Sequence, residues 1–169
     1  DSAHKTLPVL TGGAYLHLSR NVPEWLIARA EEAMAFFAST SPSYLILSSL
    51  DSANAYIAHR YRERLAECVH RVKRLGEELL ERGYTLVGDE GLKITLRTKK
   101  FGYRGYEIAD ILRSDGIECE YSDPDYTVMM FTPENTRSDF KRVSCTLNGI
   151  NRREEIFEEP PRLDRAPVY

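Results

Sequence analysis

Cysteine is scarce. Cys68, Cys119 and Cys145 are the only three, odd in number and far apart. No spacing among them fits a zinc site, and no disulfide framework is implied, so a reducing, cytoplasmic setting is expected. Long apolar runs are absent too. The longest falls far short of the roughly 20 residues that a membrane-spanning helix needs. The chain opens without a basic stretch leading into an apolar one, so no secretory signal is read there. It also opens without a methionine, which makes a fragment or processed product the expectation. No excess of positive charge is present: 23 Lys and Arg stand against 26 Asp and Glu, for a net charge of −3. Neither nucleic acid nor a membrane is expected as a partner. Metal-ligand spacing is missing as well; His17, His59 and His70 read as ordinary surface or strand residues, and no metal is expected.

What is present suffices for a packed core. Of 169 residues, 42% are hydrophobic and 29% charged, which suits one domain, or one small domain plus part of another. Residues 1–13 contain Pro8, Gly12 and Gly13 and read as loop, with a short strand expected at Ala14 to Leu18. After Pro23, the residues Leu26, Ile27, Ala30, Ala33, Met34 and Phe37 recur at helical spacing. The Ser39 to Ser43 loop should end that helix. A second helix begins near Tyr44; Leu45, Ile46, Leu47 and Leu50 make it apolar almost all round, which implies burial on several sides. From Arg60 to Arg82 an apolar stripe marks a long amphipathic helix, stopped at Gly83.

The remainder alternates. Strands are expected at Thr85–Val87, Leu92–Arg97, Ile117–Tyr121 and Thr127–Phe131, with helices at Tyr106–Arg113 and Thr136–Leu147. Pro160, Pro161 and Pro167 mark an extended tail. The expected organisation is therefore the edge of a larger domain over 1–58, a connecting helix over 59–83, a small α+β domain over 84–150 and a tail over 151–169.

Chemistry concentrates at the start, in Ser2-Ala3-His4-Lys5. A lysine on a tight loop can hold a carbonyl carbon as a Schiff base, and a hydroxyl and an imidazole just before it can clamp a phosphate. The tetrapeptide alone is a weak signal, and taken by itself it reads better as an exposed lysine. Three further phrases accompany it: Ser39-Thr40-Ser41-Pro42-Ser43-Tyr44 followed by Ser48-Ser49-Leu50-Asp51, then Phe101-Gly102-Tyr103-Arg104-Gly105-Tyr106-Glu107, then Gly116-Ile117-Glu118-Cys119-Glu120. In this order, together with Ser2-Ala3-His4-Lys5-Thr6-Leu7-Pro8, they resemble the ornithine/lysine/arginine decarboxylase family.

The resemblance implies an α/β fold with an α+β small domain, the C-terminal part of an aspartate-aminotransferase-like (fold type I) enzyme that uses pyridoxal 5′-phosphate. It implies that Lys5 is catalytic and holds the cofactor covalently, that Ser2 and His4 contact its phosphate, and that the Thr40-Ser41 loop reaches the cofactor of a partner subunit. It implies that Glu120 meets the distal amine or guanidinium of a basic amino acid. A homodimer or higher homo-oligomer that makes a polyamine precursor and carbon dioxide would follow. The family's glycine-containing phosphate loop and pyridine-binding aspartate are not found here, so this chain alone is expected to be inactive and without cofactor. Bland readings stand beside these: Thr40-Ser41 as helix-capping sequence, Glu120 as a strand-end carboxylate, and Tyr103, Tyr106, Tyr121 and Tyr126 as packing or surface residues. Two other functions remain open at this level, a packing or dimerisation domain without cofactor and an aminotransferase.

Overall fold

The computed structural model describes residues 1–158; the prolines of the expected tail, Pro160, Pro161 and Pro167, lie outside the described residues. The chain divides into two compact units, the first ending at Glu63 and the second beginning at Arg64.

In the first unit, α1 (Glu24–Phe37) follows Pro23, whose fixed φ suits the approach to a first turn. It is followed by α2 (Tyr44–Tyr56), which passes through a π-helical turn at Ile57–Tyr61 into α3 (Arg62–Glu81). The strand expected at Ala14 to Leu18 is reduced to a single antiparallel bridge between Ser2 and Ala14. The burial expected around α2 is also not found. Tyr44 is 87% exposed and Leu45 74%, while α1 buries no residue and α2 buries Ala53 alone. An apolar circumference shows that a helix wants cover on several sides, and that cover is not among the described residues.

The second unit holds a four-stranded antiparallel sheet: β1 (Leu86–Val87), β2 (Lys93–Arg97), β3 (Tyr121–Ser122) and β4 (Tyr126–Met130), in spatial order β1-β2-β4-β3. Ile94 pairs with Met129 and Leu96 with Thr127, and all four are buried. Their neighbours along each strand are more exposed, so one face of the sheet is the inner face. Onto the same core α3 brings Cys68, Val72, Leu75 and Leu79. The helices α4 (Gly105–Ser114) and α5 (Arg137–Gly149) add Ile108, Leu112, Phe140, Val143 and Leu147. Tyr84 stacks on Phe101 at 3.9 Å between ring centres and donates its hydroxyl to the Leu147 carbonyl at 2.7 Å. All three cysteines are free, and burial pushes the Cys68 and Cys119 thiols up.

The strand expected at Ile117–Tyr121 is displaced: only Tyr121 and Ser122 pair, against Val128 and Thr127. The preceding residues leave α4 through Gly116, at φ +75°, and a hydrogen bond from the Glu120 N–H to the Val128 carbonyl is their link to the sheet. A one-turn 3-10 helix at Thr98–Phe101 went unread in the sequence.

The Phe101 to Glu107 phrase shapes this unit. Gly102 adopts φ +89°, and a Cβ there would lie 2.6 Å from the backbone of Arg153. At Gly105 a Cβ would lie 2.0 Å from the Tyr126 carbonyl oxygen. Tyr103 donates its hydroxyl to the Asn151 carbonyl, and the Arg153 guanidinium sits 4.1 Å above its ring. The Glu107 carboxylate accepts from the Arg104 N–H at 2.7 Å and caps α4. Nearby, Lys99 lies 2.8 Å from Asp125 and 2.6 Å from Glu158, and Arg104 also pairs with Glu158.

Two outcomes follow for stability. Gly105→Ala should destabilise this unit by roughly 3 kcal/mol, the upper end of overpacking costs, because backbone must move rather than a side-chain tip; urea denaturation followed by circular dichroism measures it, and a loss under 1 kcal/mol would contradict the close approach. The second outcome concerns pH. Asp139 accepts from the Thr136 N–H at 2.7 Å in the α5 capping box, and that bond, with the Thr136 hydroxyl, holds its carboxyl below the usual range. A lowered folded-state value stabilises above the unfolded value, about 3.9, and the stabilisation fades as pH falls through the folded value. Asp139→Asn should therefore be less stable at pH 7 and show a shallower loss of melting temperature below pH 4 than the unsubstituted chain.

Candidate cofactor-lysine site

Ser2, His4 and Lys5 share one short turn. Ala3–Lys5 form a 3-10 turn in which Ala3 is 1% exposed and acts as its anchor. The Ala3 N–H donates to the Gly13 carbonyl at 3.1 Å, and the Tyr15 N–H donates to the Asp1 carbonyl at 2.9 Å. These two bonds close the loop of residues 2–14 upon itself. A Cβ at Gly13 would meet Val9 Cγ1 at 2.4 Å, with the Leu10 carbonyl and Leu50 Cδ2 both at 3.3 Å. Tyr15 ties the loop to α2, its hydroxyl lying 3.1 Å from the Leu50 carbonyl and 3.0 Å from Asn54 Oδ1. Leu10 adds a second tie, its N–H donating to Ser49 Oγ at 3.1 Å.

On this frame Ser2 Oγ lies 3.1 Å from His4 Nδ1, and His4 Nδ1 lies 3.4 Å from the Gly13 carbonyl. Both side chains are half-buried, while Lys5 is exposed. A hydroxyl and an imidazole held side by side offer donors to a phosphate, and the neighbouring ammonium can both attract an anion and, deprotonated, attack a carbonyl carbon. The donor set on the turn thus fits a phosphorylated aldehyde.

The other expected residues lie elsewhere. Thr40 and Ser41 sit exposed in the loop between α1 and α2, where the Ser41 N–H donates to Ser39 Oγ at 3.1 Å. Ser43, rather than either of them, is the residue preceding α2, and its side chain makes no capping bond. Glu120 belongs to the second unit and is exposed. Sequence reasoning missed Gly13 and Tyr15, which hold the lysine turn in place. The Gly12-Gly13 pair was the available signal, since adjacent glycines mark a tight approach of backbone. Among the described residues no cluster could hold a metal ion, and no helix is long and apolar enough to cross a membrane.

The sequence profile described as Orn/Lys/Arg decarboxylase, major domain, matches residues 1–94, more than half of the chain. The chain belongs to the Orn/Lys/Arg decarboxylase family. The matched stretch begins at the lysine turn and crosses the division at Glu63, taking in α3 and β1. Two Bacillus subtilis (strain 168) relatives of this family member are an uncharacterized protein, YaaO, and an arginine decarboxylase. The first is 31% identical, covering 95% of this chain and 34% of its own length; the second is 29% identical, covering 88% and 33%. The chain therefore spans about a third of the length of the curated relatives it matches. Among solved structures, the lysine decarboxylase LdcF of Francisella novicida superposes with a TM-score of 0.70 at 19% identity, over 86% of this chain and 26% of that one. The fold is accordingly α/β with an α+β small unit, of the aspartate-aminotransferase-like, fold type I kind.

The frame around the decarboxylase-family lysine turn can be tested directly. Gly13→Ala should force Val9 aside and loosen the Ser2–Ala14 bridge. Hydrogen exchange at the Ala3 and Tyr15 amides should rise about tenfold, equivalent to ~1.4 kcal/mol, with amides of β2 and β4 unchanged.

Proposed function

We propose that this chain is the part of a pyridoxal-phosphate-dependent decarboxylase that carries the cofactor lysine, and that the whole enzyme acts on ornithine, lysine or arginine. The observation that carries the reading is the family match over residues 1–94, taken with Ser2, His4 and Lys5 on a single anchored turn. The full-length protein would be a cytoplasmic homo-oligomer releasing carbon dioxide and a polyamine precursor. The 169-residue chain by itself would be inactive, since one turn supplies too few contacts to hold and polarise the cofactor.

When bound, pyridoxal phosphate supplies an aldehyde for amines to condense with and a ring that accepts the electron pair left by the departing carboxylate. Ser2 and His4 would hold the phosphate through charge-assisted hydrogen bonds. Lys5 contributes the amine that retains the aldehyde carbon. Lys5 would also be the group that carries a proton to the substrate α-carbon. Thr40 and Ser41 would reach the cofactor phosphate of a partner subunit, a role that their exposure on the loop between α1 and α2 supports. Glu120 offers a carboxylate to the distal cation of a basic substrate.

Substitutions in the full-length enzyme separate these roles. Lys5→Ala should lower carbon dioxide release by roughly 10³-fold or more while cofactor stays bound noncovalently. Ser41→Ala should weaken cofactor affinity and keep most of the rate once cofactor is saturating. Release measured with each of the three amino acids, beside cofactor absorbance after dialysis, distinguishes the two. Near-unchanged turnover in the Lys5 variant would overturn the assignment.

A further inference from the structure

Within the second unit, α3 and α5 frame a groove of about 490 Å³. Two buried residues, Leu75 and Phe140, contribute its apolar lining. Its walls are cationic. Arg71 and Arg74, three residues apart, share one face of α3; Arg137 and Lys141, four apart, share one face of α5.

The counter-charge within the groove is small. Glu78 is the one carboxylate lining it, and its Oε1 already accepts from the Ser144 hydroxyl at 2.6 Å and from the Asn148 amide. Arg71 is already engaged, with Glu67 at 3.0 Å and the Asn135 carbonyl at 3.4 Å. Arg74, Arg137 and Lys141 have no carboxylate partner among the described residues. With Arg71 offset by Glu67, three cations against the one lining carboxylate leave two positive charges in excess, on a chain whose net charge is −3. Like charges gathered round a concavity repel one another and concentrate the local field, and a bound anion relieves both.

We propose that this groove binds a small polyanion carrying two or more phosphate groups. Guanidinium forks grip phosphate oxygens in pairs, and three of the four cations are arginines. The volume lies in the range of small-molecule sites, and the apolar lining suits the uncharged body of such a ligand. An excess of two charges exceeds what a single chloride or carboxylate can neutralise. The inference does not depend on the role of Lys5.

Titration of the 169-residue chain with tripolyphosphate, by calorimetry at an ionic strength held constant with sodium chloride, tests it. Saturable one-to-one binding is expected. An Arg74→Ala, Arg137→Ala double variant should bind at least about tenfold more weakly, with its circular dichroism spectrum unchanged because both side chains are exposed. Arg60→Ala, 80% exposed in the first unit, should bind as the unsubstituted chain does. Absence of saturable binding, or equal affinity in the double variant, would overturn the proposal. A parallel sedimentation with phosphatidylserine vesicles separates the source of the phosphate: vesicle binding that tripolyphosphate does not compete away would also overturn it.

Discussion

At Gly102 and Gly105 two stretches of backbone approach until neither position has room for a Cβ. The loop that follows β3 lies against Gly105, and the segment after α5 lies against Gly102. Between them Tyr103 turns inward, with its hydroxyl on the Asn151 carbonyl and Arg153 above its ring. The 3-10 turn at Thr98–Phe101 carries the chain from β2 into this junction, and Phe101, at 0% exposure, links it to Tyr84 and the core. The start of α4, the hairpin between β3 and β4, and the course of residues 151–156 all depend on that approach. Packing thus accounts for the Phe101 to Glu107 phrase.

The first unit is organised differently. It buries little, and its lysine turn is held by hydrogen bonds rather than by a core: Ala3 to Gly13, Tyr15 to Asp1, and the Tyr15 hydroxyl to α2. Such a frame sets side-chain order locally, so Ser2 and His4 meet because they are two residues apart on a tight turn. It leaves α1 and α2 with large apolar side chains in the open, Phe37 at 92% exposure and Leu45 at 74%. Surfaces of that kind are built to be covered. The family relationship, in which relatives are about three times as long as the matched stretch, agrees with a unit whose packing partners are further protein.

Charge is distributed with the same unevenness. Around Lys99 the pairs with Asp125 and Glu158 are close, and those carboxylates hold the lysine's affinity for its proton up. Between α3 and α5, by contrast, Arg74, Arg137 and Lys141 have no carboxylate partner among the described residues. The first arrangement closes on itself within the described residues; the second has charge to spare for a ligand.

Helical periodicity and glycine position located α1, α3, α4 and α5 to within a few residues, because an apolar stripe and a left-handed stop are local properties of the chain. Gly83 and Gly116 end their helices at φ +98° and +75°, as their places in the pattern implied. The order Ser2-Ala3-His4-Lys5 likewise brings Ser2 and His4 together on one turn, since they are two residues apart. Tertiary structure decided the rest. Ala14 to Leu18 alternates well enough for a strand, yet only Ala14 finds a partner, since a strand exists only where another offers its hydrogen bonds. Ile117 to Glu120 failed for the same reason, pairing being reserved for Tyr121 and Ser122. The exposure of α2 could not be read from its composition, because periodicity reports the demand for burial and not the supply. Nor could spacing along the chain reveal that Arg71 and Arg74 share a groove with Arg137 and Lys141, more than 60 positions later, since only the packing of α3 and α5 on one core brings them to it.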